Sequence, residues 1–210
     1  MLIPSEQDFA QAVALWREWN GRINVISRKD EDNIFAHHIL HSLAIAQYME
    51  LFYPLDLSSA TGKDCFLDVG TGGGFPGIPL AMVMPWAKFT LCDSIGKKVK
   101  VAQAVSDGLG LQNVECVNAR VESLPGQWDW VVSRAVTSLE NFYPWVKGRF
   151  RRSILYLKGG DIDTEIAVLR KKYHIPTANI RTWRIDSWLK DEYFAEKFVI
   201  EVGKNYLCTP

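Results

Sequence analysis

Net charge is the first thing this chain lacks. Its 24 lysines and arginines are balanced by 24 aspartates and glutamates. That balance argues against indiscriminate binding to polyanions, yet a local basic patch is enough to hold phosphate. Cysteine is scarce: Cys65, Cys92, Cys116 and Cys208, none in a CxxC pair. The first three sit in apolar, strand-like runs and read as free thiols in a reducing compartment. No apolar segment reaches the roughly 18 residues that a membrane span needs. The opening MLIPSEQDFA has no basic stretch ahead of an apolar one, so no secretory leader is expected. These absences predict a cytoplasmic protein without a membrane partner. What is present, 48% apolar and 23% charged residues in 210, suits one domain with a sizeable core.

Two patterns divide the chain. Phe9, Val13 and Trp16 recur at helical spacing, with Ser5 placed to cap the start, and a second helical stretch runs from about Asp30 to Tyr53 with Ile34, His38, His41 and Ile45 on one stripe. Pro54 and the Ser-Ser-Ala-Thr-Gly stretch at 58–62 read as a connection. From Asp64 onward short apolar runs alternate with amphipathic segments. The runs are Cys65–Val69, Phe89–Cys92, Val114–Val117, Trp130–Ser133 and Ile154–Leu157, with helices expected near 77–84, 96–109, 138–149 and 161–173. Strand and helix in repeated order mean a parallel sheet covered on both faces. Two β-rich runs at 178–186 and 194–202 predict a closing antiparallel hairpin. The expected fold class is thus α/β, a doubly wound, Rossmann-like core over residues 63–210 with a helical extension over 1–62.

The stretch FLDVGTGGGFPG, Phe66 to Gly77, follows the first predicted strand. In open sheets that junction faces the ligand, beside the switch point of the strand order. Two ligands compete, a dinucleotide and S-adenosylmethionine. Gly72, Gly74 and Gly77 fit GxGxxG, a weak signal alone. Charge discriminates better. Asp68, two residues before Gly70, would repel a pyrophosphate and favour a sulfonium and an ammonium. Asp93 ends the next strand, where a carboxylate can accept from both ribose hydroxyls. The pattern of Asp68, Gly70, Gly72, Gly74 and Asp93 therefore points to S-adenosylmethionine.

The motifs DVGTGGGFPGIPLA, LCDSIGKK, RVES, VVSRAV and LKGG resemble the RsmG (GidB) family of small-subunit rRNA methyltransferases, as does WNGRINVISRK followed by HHILHSL. The likeness covers roughly residues 16 to 160 and is loose beyond that. It implies a class I S-adenosylmethionine-dependent methyltransferase with a seven-stranded, mostly parallel sheet. The implied reaction is methyl transfer to N7 of guanine 527, in the 530 loop of 16S rRNA. It also implies that Gly70 and Phe75 contact the cofactor, that Val121 and Glu122 lie against the adenine, and that Arg134 lines the place where methyl meets base. His41 departs from the family, which usually has Asp there.

The chemistry is compatible with that implication. The Asn/Asp-Pro-Pro-aromatic loop used for exocyclic amines is absent after the fourth strand, which carries Ser133-Arg134 instead, and no cysteine nucleophile stands near that loop. Guanine N7 has an exposed lone pair, so alignment and exclusion of water suffice. Arg134 is the candidate for contact with guanine O6, a phosphate or the cofactor carboxylate. Lys97, Lys98, Arg149, Arg151 and Lys158 are candidates for contact with the RNA backbone of 16S rRNA or the 30S subunit. His37, His38 and His41 lack an evident third metal ligand, so packing or RNA contact is expected of them and no metal. The eight tryptophans are expected in the core, and the chain is expected to act as a monomer. A small-molecule methyltransferase, a non-catalytic RNA-binding module and a nicotinamide-dependent oxidoreductase are the rival readings.

Overall fold

The computed structural model describes residues 3–54, 64–134 and 136–203. The connection expected at 58–62, the domain division at 62/63 and Cys208 lie outside them. Seven strands form one sheet: β1 Cys65–Val69, β2 Lys88–Asp93, β3 Val114–Asn118, β4 Trp128–Arg134, β5 Phe150–Gly159, β6 Ile180–Arg184 and β7 Lys197–Gly203. Their order is β3-β2-β1-β4-β5-β7-β6. The first five are parallel, and β7 runs antiparallel to both β5 and β6. β1 is the switch point, with Asp68 in register with Leu91 on one side and Val132 on the other.

The central strands read as unbroken apolar runs because both faces are buried. Phe66 and Trp130 face one apolar cluster, Leu67 and Val131 the other. Phe66 stacks on Phe89 with ring centroids 4.8 Å apart. The helices are α1 Ala10–Asn20, α2 His41–Phe52, α3 Gly77–Val83, α4 Gly96–Gly108, α5 Leu139–Val146 and α6 Ile162–Tyr173. Side chains of α1 through α4 enter the first cluster, and those of α5 and α6 the second. The two strands at the end of the chain pair antiparallel, as expected, and close the sheet. Residues 185–196 join them through two 3-10 turns, Ile185–Ser187 and Glu192–Phe194, and bury Ile185, Leu189 and Phe194.

The N-terminal segment packs into the same cluster as the sheet. Ser5 donates its N–H and its hydroxyl to the Asp8 carboxylate at 2.9 and 2.8 Å, opening the first turn. The second predicted helix is three pieces: a 3-10 turn Arg28–Asn33, a π turn Ile34–Leu40, and α2. The expected stripe of Ile34, His38, His41 and Ile45 is buried throughout. Its burial exceeds one face because α2 is covered from His41 to Met49. Glu201 of β7, fully buried, accepts from Tyr48 and Tyr53 hydroxyls at 2.5 Å each and from Ser153 at 2.6 Å. These bonds fasten the end of the N-terminal segment to the sheet.

Candidate active site

The glycine loop is built from its anchors. At the end of β1 the N–H groups of Gly70 and Thr71 donate to the Cys92 carbonyl at 2.8 and 3.1 Å, pinning the loop to β2. Asp68 is fully buried. Its Oδ2 accepts from the Thr71 hydroxyl at 2.6 Å and from the Gly77 N–H at 2.8 Å, so the carboxylate caps α3. Burial pushes its pKa up to about 7 despite these bonds. Gly77 is the third glycine of the GxGxxG match. The helix N-terminus that would hold a pyrophosphate is therefore already filled by a carboxylate, which disfavours the dinucleotide reading.

Gly70 has φ +70°, and a Cβ there would stand 2.5 Å from Cγ2 of Val136. The position needs glycine for its backbone angle, and the bare backbone forms part of a cavity wall. The loop's other side is held by α1. The Trp16 indole N–H donates to the Gly73 carbonyl at 2.7 Å, and its ring stacks on Phe75 at 4.2 Å. Phe75, expected at the cofactor, is 4% exposed and does not line the cavity. The aromatic ring that ends the glycine run packs inward because Trp16 offers it an apolar partner.

The cavity, about 380 Å³, lies at the carboxyl ends of β1, β2, β3 and β4. Of the residues picked out in the sequence, Gly70, Asp93, Lys98, Val121, Glu122 and Arg134 line it. Asp68, Gly72, Gly74 and Phe75 stand behind the loop. Asp93 is fixed by its surroundings: Oδ1 accepts from the Ile95 N–H at 2.8 Å and Oδ2 from the Gly72 N–H at 3.0 Å. The Asn118 side chain donates to the Asp93 carbonyl at 2.9 Å. The volume is within the range of small-ligand pockets. A carboxylate at the end of β2 beside the bare backbone of Gly70 suits a nucleoside whose diol donates to it and whose far end is cationic.

Arg134 closes the wall at the end of β4. Nη1 donates to the His37 carbonyl at 3.3 Å, and Nη2 lies 2.9 Å from Nδ1 of His38. The guanidinium also sits 5.0 Å over the Phe75 ring. His38 in turn meets Asp30, Nε2 to Oδ2 at 2.7 Å. His38 and His41 are packed inside, 8% and 5% exposed.

Two expectations about location change. Lys158 ends β5 on the cavity edge, but its Nζ is engaged by Glu165 at 2.8 Å and the Thr137 carbonyl at 3.1 Å. Arg149 donates to the Glu122 and Leu124 carbonyls, strapping the loop that carries Val121 and Glu122 to the start of β5. Arg151 pairs with Asp129 at 3.1 Å near the start of β4. Seven residues of strand, roughly 3.3 Å each, separate it from Lys158 and the cavity end. Arg151 is thus not at the mouth, because parallel strands put their starts opposite the site, whereas the Arg149 guanidinium reaches the loop that lines the cavity. Lys97 is exposed on the first turn of α4, next to Lys98.

Several residues of the site were not singled out in the sequence, although all but Trp145 stand within the quoted motifs. Cys92, Ile95, Arg120, Val136 and Trp145 also line the cavity. Cys92 stands at the end of β2, two strands from Arg134 in the sheet, and its thiol donates to the Ala119 carbonyl at 3.2 Å. Burial, followed by the neighbouring Asp93, pushes its pKa up to about 11. It is a thiol at neutral pH and not a nucleophile.

Comparison with known proteins gives a consistent answer. The family described as GidB, rRNA small subunit methyltransferase G, matches residues 5–184. A protein of Christiangramia forsetii named ribosomal RNA small subunit methyltransferase G is 44% identical over 206 residues, covering 94% of this chain and 90% of that one. A protein of the same name from Porphyromonas gingivalis is 42% identical over 203 residues, covering 92% and 85%. Among solved structures, magnesium protoporphyrin IX methyltransferase from Synechocystis PCC 6803, with bound SAM, superposes with a TM-score of 0.59 at 14% identity, covering 98% of this chain and 100% of that one. The plantazolicin methyltransferase BpumL in complex with SAH gives 0.59 at 11% identity, covering 95% and 97%. These two share the fold.

Proposed function

The chain belongs to the rRNA small subunit methyltransferase G family, and from that premise we infer that it methylates N7 of guanine 527 in the 530 loop of 16S rRNA. The observation that carries the reading is the meeting of Gly70, Asp93 and Arg134 in one cavity at the switch point of the sheet.

The residues present fit S-adenosylmethionine. Asp93 would take the ribose hydroxyls, Val121 and Glu122 the adenine, and the bare backbone at Gly70 the amino-acid end, with the Asp68 carboxylate behind it. When bound, the cofactor supplies an activated methyl group on a sulfonium. The chain's own contribution is placement. The loop is immobilised from three sides, by Cys92, by Asp68 and by Trp16, so the cradle is formed in advance. Arg134 is the catalytic candidate. It presents donors where a guanine O6, a phosphate or the cofactor carboxylate would lie, leaving N7 free to react.

The cavity supports this acceptor. Cys92 is protonated and tied to Ala119, so attack through a cysteine adduct has no support. A lone pair that reacts unaided needs no such adduct. The reading calls for no metal and takes one chain as the working unit. Exposed Lys97 and half-buried Lys98 beside the cavity favour contact with the RNA backbone there. Arg151 would serve RNA only at a distance from the reacting base, while Lys158 and Arg149 have their charged ends engaged within the protein. An rRNA substrate places the protein in the cytoplasm.

The test is transfer of label from methyl-labelled S-adenosylmethionine to 30S subunits and to naked 16S rRNA lacking the modification. Digestion and mass mapping should find one 7-methylguanosine, at nucleotide 527. Label at another atom or another nucleotide would refute the assignment.

A further inference from the structure

Arg134 is gripped from the N-terminal segment by two side chains in series. Its Nη2 lies 2.9 Å from Nδ1 of His38, and Nε2 of His38 lies 2.7 Å from Oδ2 of Asp30. A guanidinium has donors and no acceptor. Nδ1 of His38 must therefore hold a lone pair, and the proton of the ring sits on Nε2. There it points at the Asp30 carboxylate, an acceptor. The three groups together specify one tautomer. Burial and the Arg134 charge lower the His38 pKa to about 4, so the ring stays neutral at pH 7.

Asp30 is itself fixed. Its Oδ1 meets Nδ1 of His37 at 2.5 Å, and the His37 ring stacks on Tyr193 with centroids 3.6 Å apart. Burial opposes the charge on Asp30, but the two histidine hydrogen bonds prevail and hold its pKa below the ordinary carboxylate value. Neither Asp30 nor His38 lines the cavity. Arg134 is the cavity-lining residue whose side chain His38 meets by a hydrogen bond.

We propose that Asp30 and His38 are positioning residues for methyl transfer: Asp30 fixes the proton on Nε2 of His38, and Nδ1 of His38 holds the Arg134 guanidinium at the cavity wall. The inference rests on the reading of that cavity as the methyl-transfer site and deepens it, because the N-terminal segment then orients the group that meets the base.

An isosteric pair separates orientation from packing. His38→Asn keeps an acceptor where Nδ1 stands and loses the link to Asp30. His38→Gln keeps a group where Nε2 stands and offers Arg134 nothing. Asp30→Asn replaces one of two acceptors with a donor, so one of the two histidines must change tautomer. The measurements are kcat on 30S subunits, the dissociation constant for S-adenosylmethionine, and imidazole nitrogen–proton correlation spectra of the protein without cofactor. In the wild type Nδ1 of His38 should be bare and Nε2 protonated at pH 7. His38→Gln should lose on the order of 10²-fold in kcat, and His38→Asn should recover most of that loss, while Asp30→Asn should lose activity only if its spectra show His38 rather than His37 to be the ring that changed tautomer. A protonated Nδ1 in the wild type would overturn the proposal, as would equal kcat for His38→Asn and His38→Gln. If the tautomer is as expected but the wild type transfers no methyl to RNA, the reading of the cavity fails, and the positioning role fails with it. The spectra tell those two failures apart.

Discussion

The Trp16 indole N–H donates to the Gly73 carbonyl at 2.7 Å, joining the first helix to the middle of the glycine loop. The ring is fully buried and stacked on Phe75. Trp16→Phe keeps most of the apolar volume and removes the donor from a buried carbonyl. The expected cost in urea unfolding is about 1–3 kcal/mol, with weaker S-adenosylmethionine binding because the loop is a cavity wall. A variant as stable and as tight-binding as the wild type would show that the bond does not hold the loop.

Asp93 occupies both carboxylate oxygens with backbone N–H groups and still faces the cavity. Asp93→Ala frees the Gly72 and Ile95 amides and removes the acceptor for a ribose. Calorimetry should show affinity for S-adenosylmethionine falling on the order of 10²-fold, the loss of a charged hydrogen-bond partner. Unchanged affinity would place the ribose elsewhere.

Much of this was legible in the sequence, and the reasons are physical. β1 coincides with the run Cys65–Val69, and the other parallel strands extend their predicted runs by a few residues. Strands buried on both faces leave continuous apolar stretches bounded by turn residues, which a single sequence shows well. Asp93 was readable because it ends such a run. Contacts across the chain were not. Trp16 reaches a loop 57 residues away and His38 meets an arginine 96 residues away, and neither leaves a local pattern. Arg149 and Arg151 looked like one phosphate track because clustering in sequence does not say where each side chain goes: Arg149 turns to the Glu122 loop and Arg151 to Asp129. Cys92 was missed at the cavity because a strand covered on both faces shows no alternation to aim its side chains.

The pH dependence of stability isolates His38. Its folded pKa, about 4, lies below the ordinary 6.5, so the unfolded chain takes up the proton first. The stability this group contributes is complete above pH 6.5 and is lost as pH falls toward 4. Burial lowers the value most, the Arg134 and His37 charges lower it further, and Asp30 opposes them. Asp68, raised to about 7, works in the opposite direction: its burial favours the protonated form, so its contribution improves as pH falls from 7 toward 4. The wild-type curve alone mixes these effects. The difference between wild type and His38→Asn removes the common part. Between pH 7 and pH 5 the wild type should lose about 2 kcal/mol more than His38→Asn. Parallel curves would mean that His38 is not held neutral by its surroundings.

Salt dependence sorts the basic residues. If Lys97 and Lys98 neutralise RNA phosphates, replacing both with alanine should reduce the slope of log kcat/KM against log salt by about 1 to 2. Arg151→Ala, at the other end of the sheet and paired with Asp129, should leave the slope unchanged. The reverse outcome would move the RNA path to the starts of β4 and β5.

The cradle formed by the glycine loop and Asp93 is tested most directly by titrating S-adenosylmethionine, S-adenosylhomocysteine and NAD into the purified protein in a calorimeter. Saturable heat with one site per chain is expected for the first two, and none for NAD. Absence of heat for both adenosyl compounds, or equal binding of NAD, would contradict the assignment of this cavity.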